Sequence, residues 1–386
     1  MTASSSSQRL LSLDAFRGAT IAGMIMVNNP GTWSAIYPQL RHAAWHGWTF
    51  TDFIFPFFLW IVGVAMTLSF ARRVEAGAAK GKLLLHVFRR AVIIFGLGLF
   101  LAGFPFGLFG QDRTLADIFS TIRIPGVLQR IAVCYLIASI IYLYTGLRGQ
   151  VIWLIGLLAG YWLLVWLVPV PGYGRWFFEP TGNLCWWVDS NILAGHTWRG
   201  APVPGFDPEG IVSTIPAIAT TLFGILTGRW LRGNATPAEK TTWMFVAGNA
   251  LLLLGAVLDM WMPINKQLWT SSYSIFMAGW ALVCLAMFYW LIDVKGYKKW
   301  ATPFVIYGMN AITVFVLAGV VGRTIGIIKA TMPDGTVVSL QQYMYQTWFL
   351  SIAQPINASL LYAIGFILAM FLVVWFMWWR KWFLKV

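Results

Sequence analysis

Residues 31–49 read Gly-Thr-Trp-Ser-Ala-Ile-Tyr-Pro-Gln-Leu-Arg-His-Ala-Ala-Trp-His-Gly-Trp-Thr and hold His42 and His46, two of the chain's four histidines. Imidazole titrates near neutral pH, which makes histidine the commonest general base. Asn28 and Asp52 bracket the stretch closely in sequence. Two histidines four apart on a helix can also share a metal ion. Here the glutamate of a His-Glu-x-x-His site is missing, since position 43 is Ala43, and no third ligand follows, so no metal is expected. For either histidine the competing reading is interfacial anchoring beside Trp45 and Trp48 in an aromatic belt.

Other charged groups fall within apolar stretches, where their cost marks each as a functional candidate with a partner to be found. Asp14 and Arg17 stand three apart on one helical face, so a mutual ion pair competes with a functional role. Asp52 lies four residues before Pro56; a helix dipole alone would favour a carboxylate there. Arg123 and Arg130 flank Ile-Pro-Gly-Val-Leu-Gln. Pro125 suits a first helical turn, and Arg130 would sit about 10 Å deeper at 1.5 Å per residue. At that depth it faces the bundle interior or a watery cavity, with pairing to Asp117 as the structural alternative.

Composition dictates the elements that position these residues. The 386 residues are 59% hydrophobic and 10% charged, with a mean hydropathy of +0.71. A soluble domain carries roughly 25% charged residues, so an ordinary cytoplasmic enzyme is excluded. The expected fold class is all-α, a polytopic integral membrane helix bundle. About 20 apolar residues make a span, and ten such stretches occur, at 12–30, 50–71, 91–110, 126–146, 151–169, 211–228, 243–262, 273–293, 301–322 and 355–379. None alternates as barrel strands do. Ser4 to Ser7 and Arg9 precede the first stretch and resemble a leader. Asp14 and Arg17 in its opening turn, with no small-residue cleavage site, predict a retained span instead.

With the N-terminus inside, 18 of the 27 basic residues and 4 of the 13 acidic ones fall on the cytoplasmic side, leaving 9 and 9 outside. The inner face is then 18 − 4 = +14 and the outer 9 − 9 = 0. This polarity places both termini in the cytoplasm. The insertion rule alone accounts for it, and no nucleic-acid partner is expected. Cys134 and Cys284 lie in apolar stretches and leave Cys185 without a loop partner, so no disulfide is implied. No repeat or linker divides the chain, which is expected to form one domain over 1–386. Its longest outer segment, about 170–210, contains Trp176, Trp186, Trp187 and Trp198 and is expected to be an ordered lid.

The run Ser12-Leu-Asp-Ala-Phe-Arg-Gly18, then Val27-Asn28, His42-Ala-Ala-Trp45 and Thr51-Asp-Phe-Ile-Phe-Pro56, resembles the opening of the heparan-α-glucosaminide N-acetyltransferase family. The likeness continues through Arg123-Ile-Pro-Gly-Val-Leu-Gln-Arg130, Asp207-Pro-Glu-Gly210, Pro263-Ile-Asn-Lys-Gln-Leu-Trp-Thr-Ser-Ser-Tyr273, Asp293-Val-Lys-Gly296 and Gly308-Met-Asn-Ala-Ile312. Each block is weak alone; the ordered set is specific.

The resemblance implies a transmembrane acetyl transfer. Acetyl-CoA is supplied from the cytoplasm, and the acceptor is the amine of an amino sugar on the opposite, periplasmic side of a bacterial inner membrane. The family's active-site histidine matches His42, and its preceding asparagine matches Asn28. Lysosomal relatives carry asparagine where this chain has His46, which makes His46 a poor catalytic candidate. They also carry a further luminal domain and first span, so this chain reads as a bacterial short form.

Aminolysis of a thioester needs a base and donors for the tetrahedral oxyanion. His42 would be that base, or would itself carry the acetyl group. Asn28 would hold the oxyanion, and Asp52 would orient the imidazole. Asp207, Glu209 and Trp45 are the candidates for the sugar; Arg130, Ser272, Ser274 and Asn310 are those for acetyl-CoA, with interhelical hydrogen bonding as the alternative for the last three. Lipid and a homodimeric partner complete the expected contacts. A secondary transporter of an amino sugar is the rival class, but it calls for repeated halves and paired broken helices, which the sequence does not display.

Overall fold

The computed structural model describes residues 10–108 and 114–384. Ser4 to Ser7, Arg9, Lys385 and the last two residues of the stretch 91–110 lie outside the described residues. Within them run fourteen α-helices: α1 (Leu11–Asn28), α2 (Thr51–Glu75), α3 (Lys80–Gly103), α4 (Leu115–Thr121), α5 (Val127–Tyr144), α6 (Leu147–Leu167), α7 (Leu184–Ile192), α8 (Thr214–Arg232), α9 (Pro237–Leu258), α10 (Ser271–Tyr289), α11 (Thr302–Met309), α12 (Ala311–Ile327), α13 (Leu340–Met344) and α14 (Pro355–Trp379). The one departure from an all-α reading is a two-stranded antiparallel hairpin, β1 (Lys329–Thr331) with β2 (Val337–Ser339). Its connection turns at Gly335, whose φ of +84° is readily adopted only by glycine.

Each of the ten apolar stretches falls on a helix, or in one case on the pair α11 and α12. Seven helices, α2, α3, α5, α6, α9, α10 and α14, are long and apolar enough to cross a membrane. The pair α11 and α12 adds an eighth if it is taken as one span, bent by 73°. The two other stretches form α1 and α8, which fall short. Both carry polar side chains that neighbouring helices bury. Most of α1 and α8 is buried by other helices, polar Asp14, Thr20, Thr220 and Thr221 included. By contrast α3, α6 and α9 present exposed Leu85, Phe88, Ile152, Ile155 and Leu253, as a lipid-facing ring requires. Helix α3 also begins at Lys80, well before the expected 91. Its first turns carry Lys82, Arg89 and Arg90, which hydropathy alone excludes from a span.

Glycine sets the closest helix approaches. A Cβ on Gly63 of α2 would stand 2.1 Å from the Thr221 carbonyl oxygen, and one on Gly224 of α8 1.9 Å from that of Trp60. The same holds for α1 and α11, where a Cβ on Gly18 would stand 1.7 Å from the Phe304 oxygen. Small residues let helix backbones meet in this way. At the second contact Arg17 donates Nε to the Gly308 carbonyl at 2.7 Å and pairs with Asp14 at 2.6 Å, the anchoring ion pair expected from their spacing. Cys134, Cys185 and Cys284 are unpaired. Residues 168–213 fold around α7, with Val170, Leu184, Cys185, Phe206 and Val212 packed against Tyr161, Met262 and Leu268.

Candidate active site

Asp52 sits in the first turn of α2, where the helix dipole favours its charge. Its carboxylate turns back into the loop after α1 and is only 1% exposed. One oxygen accepts from the Ala43 and Thr49 amides, each at 3.0 Å, and from Thr49 Oγ1 at 3.2 Å. The other meets His42 Nδ1 at 2.6 Å. Tyr273 of α10 donates its hydroxyl to the Asp52 carbonyl at 2.6 Å and fixes the backbone beneath. An ionised carboxylate only accepts, so Nδ1 carries the imidazole proton and Nε2 keeps its lone pair. Asp52 thus both occupies the first turn of α2 and contacts the His42 ring.

Lys266 completes the group. Its Nζ lies 3.1 Å from His42 Nε2 and 3.2 Å from Nδ1. Burial, then the Lys266 charge, pull the imidazole below its ordinary value of 6.5, against the opposing effect of Asp52. His42 is thus a neutral base at neutral pH. Burial likewise lowers the Lys266 ammonium, with Asp52 and Glu209 working against it. The two loops are stitched by backbone. Gly47 donates to the Ile264 carbonyl at 2.8 Å, and Asn265 Nδ2 donates to that of Trp45 at 2.9 Å.

A cavity of about 890 Å³ opens beside the imidazole, bordered by His42, Asn28, Lys266, Glu209, Arg123 and Trp198 among others. Asn28 ends α1, and its amide makes no side-chain hydrogen bond among the described residues, which leaves it free to donate into the cavity. Arg123 also lines the cavity. It binds Asp207 through two bonds of 2.8 and 2.5 Å and also holds Glu209. Although burial pushes the Glu209 carboxyl up, Arg123, Arg130 and Lys266 together draw it below the usual range.

Asp207 is wholly buried and accepts further bonds from the Trp198 and Glu209 amides at 2.8 and 2.9 Å. Arg123→Ala would leave that charge without its cation, at a cost of about 3–5 kcal/mol. The expected outcome is a sharply lower midpoint of thermal unfolding in detergent, partly restored by adding Asp207→Asn. An unchanged midpoint would show that the pair is not structural.

Of the residues singled out from sequence, His42, Asp52, Asn28 and Glu209 come together at or against this cavity. Others are engaged elsewhere. Asp207 faces Arg123. Trp45 donates its indole to the Phe178 carbonyl at 2.6 Å and packs on Phe206. Arg130 is buried, donates to the Gly210 carbonyl at 3.1 Å and to Ser213, and lies 5.1 Å from the centre of the Trp269 ring. Asp117 instead closes a capping box with Thr114 at the start of α4. Ser272 meets Thr270 at 3.1 Å, and Ser274 donates to the Pro216 carbonyl at 3.2 Å. Asn310 ties the break between α11 and α12 to the Trp382 carbonyl and the Leu384 amide, each at 3.1 Å. These four hold helices and chain ends, and none of them borders the cavity.

His46 faces Asn265 at 3.3 Å and Glu179 at 3.9 Å, away from His42's partners. Sequence reasoning missed Lys266. Its only signal was its place in the middle of the block Pro263–Tyr273.

Residues 9–262 match the family described as heparan-alpha-glucosaminide N-acetyltransferase, catalytic. The chain is 30% identical over 359 residues to the human protein named heparan-alpha-glucosaminide N-acetyltransferase, an alignment covering 80% of this chain and 52% of that one. To the mouse protein of the same name it is 28% identical over 368 residues, with 82% and 54% covered. The chain spans about half the length of the curated relatives it matches.

Proposed function

Because the chain belongs to the heparan-α-glucosaminide N-acetyltransferase family, we propose that it transfers an acetyl group from acetyl-CoA to the amine of a glucosamine-type amino sugar. One observation carries this reading: within the matched region, His42 is oriented by Asp52, kept neutral by burial and Lys266, and borders the same cavity as the unengaged amide of Asn28. The acceptor amine attacks the thioester carbonyl while His42 Nε2 takes its proton. Asn28 Nδ2 donates to the oxyanion that forms, and the Asp52 carboxylate stabilises the imidazolium. The intermediate then expels the thiolate of CoA, which receives the proton back from His42. Glu209 on the cavity wall serves the sugar hydroxyls, and the segment at about 170–210 serves as the lid.

The protein lies in the bacterial inner membrane, with α1 and α8 crossing inside the ring of more apolar helices to give about ten spans and two cytoplasmic termini. Acetyl-CoA enters from the cytoplasm, its phosphates drawn to the basic inner face, an attraction that salt weakens. The acceptor enters from outside. In sealed vesicles of known orientation, only acetyl-CoA on the cytoplasmic side should acetylate glucosamine held on the other side. Equal rates with both substrates on the periplasmic side would overturn the through-membrane route.

A further inference from the structure

Lys266 holds its amine next to the place an acceptor amine needs. A primary amine about to lose its proton to His42 must come within hydrogen-bond reach of the Nε2 lone pair; the Lys266 amine lies against the ring, 3.1 Å from Nε2 and 3.2 Å from Nδ1, and rotation of its flexible side chain carries it onto that lone pair. It borders the same cavity as His42 and Asn28. A thioester seated for attack by an amine at that point is therefore seated for attack by Nζ as well. We propose that Lys266 is a self-acetylation site, modified by the enzyme's own donor when no amino sugar fills the cavity. The inference rests on the acetyltransferase reading above.

The step balances without another reactant. The neutral Nζ attacks the acetyl carbon of acetyl-CoA and His42 Nε2 takes one of its protons. The carbon–sulfur bond breaks, CoA leaves as thiolate, and the proton returns to sulfur. The product is an N-ε-acetyl-lysine amide and CoA thiol. Burial lowers the ammonium's pKa and so enlarges the neutral fraction on which attack draws.

Two consequences follow from the position. The amide cannot be turned over by an incoming amine as a thioester can, so the modification accumulates. It also removes the cation beside His42 and adds an acetyl group to the cavity wall where the acceptor would sit. Donor without acceptor would thus shut the enzyme down, and acceptor would protect it by displacing Lys266 from the imidazole.

The test uses the full-length protein in detergent, incubated with radiolabelled acetyl-CoA and no sugar. The expected result is up to one label per chain, mapped to Lys266 by peptide mass spectrometry and stable to hydroxylamine. Glucosamine present from the start should suppress it, and His42→Ala should abolish it. The wild type should lose activity during such preincubation, whereas Lys266→Arg, whose guanidinium stays protonated, should retain its own starting activity.

A hydroxylamine-labile label on His42 with Lys266 unmodified would overturn the proposal. So would acetylation of glucosamine by an enzyme whose Lys266 never acquires label, a result that leaves the proposed function standing. Failure to acetylate either the sugar or the protein would instead strike the acetyltransferase reading itself.

Discussion

Replacing His42 by alanine lowers acetyl transfer to glucosamine by about 10²–10⁴-fold, the usual range for loss of a general base, whereas His46→Ala retains most of the rate. The contrast follows from where the two rings sit. His42 bonds Asp52 at 2.6 Å, touches Lys266 and borders the cavity; His46 lies against Asn265 and Glu179. Because burial and Lys266 hold the His42 imidazole below its ordinary value, its base form persists as pH falls through 6.5. The acid limb of the rate therefore lies below that pH, and the rate drops only as the ring finally takes its proton. Steady-state assays across pH on both variants, with folded protein verified by its unfolding midpoint, make the comparison. Equal losses from both substitutions, accompanied by bound zinc, would remove His42 from its role and restore the shared-metal reading of the pair.

Asp52→Asn lowers the rate by a similar factor, about 10²–10⁴, through a different cause. The amide preserves much of the shape while removing the charge that stabilises the imidazolium formed in the transition state. It also presents a donor to Nδ1, which favours the tautomer with its lone pair turned away from the cavity. Asp52 is a positioning residue in this scheme, and pH tells it apart from a merely structural one. Its hydrogen bond and its charge both raise the His42 pKa, so their loss moves the acid limb to still lower pH while the plateau falls. A lower plateau with an unmoved limb would mean that the carboxylate only supports the loop.

How much of this was legible in the sequence depends on how local each feature is. The ten helical stretches stand out because each is a run of about 20 mainly apolar residues, and their positions follow. Burial within the bundle lets α1 and α8 stay more polar, which hydropathy cannot distinguish from a weak span. The 73° break between α11 and α12 hides inside a continuous apolar run, since Asn310 differs from its neighbours only in polarity. At the site, Asn28, His42 and Asp52 fall within one helix-loop-helix segment and could be read together. Lys266 could not, because a loop lysine 224 residues from His42 is indistinguishable in sequence from a solvated charge. Trp45, Ser272, Ser274 and Asn310 stand out in sequence for a reason that does not single out a ligand. Polar groups in apolar surroundings need partners whether or not a ligand exists, and here their partners belong to the protein.

The backbone bridge between Gly47 and Asn265 has a meaning in the order of synthesis. His42 and Asp52 are ten residues apart and can meet once the first two helices are made. Lys266 emerges 224 residues after His42, which at about 5–20 residues per second is a delay on the order of 10–45 s. During that interval the imidazole has only a carboxylate beside it, a partner that favours the charged ring. The later loop brings the cation that tips the ring to its neutral form and, through Gly47 and Asn265, the stitch that holds it there. A nascent chain thus carries a nearly complete dyad that is a poor base, and it gains competence only when distant residues are laid down.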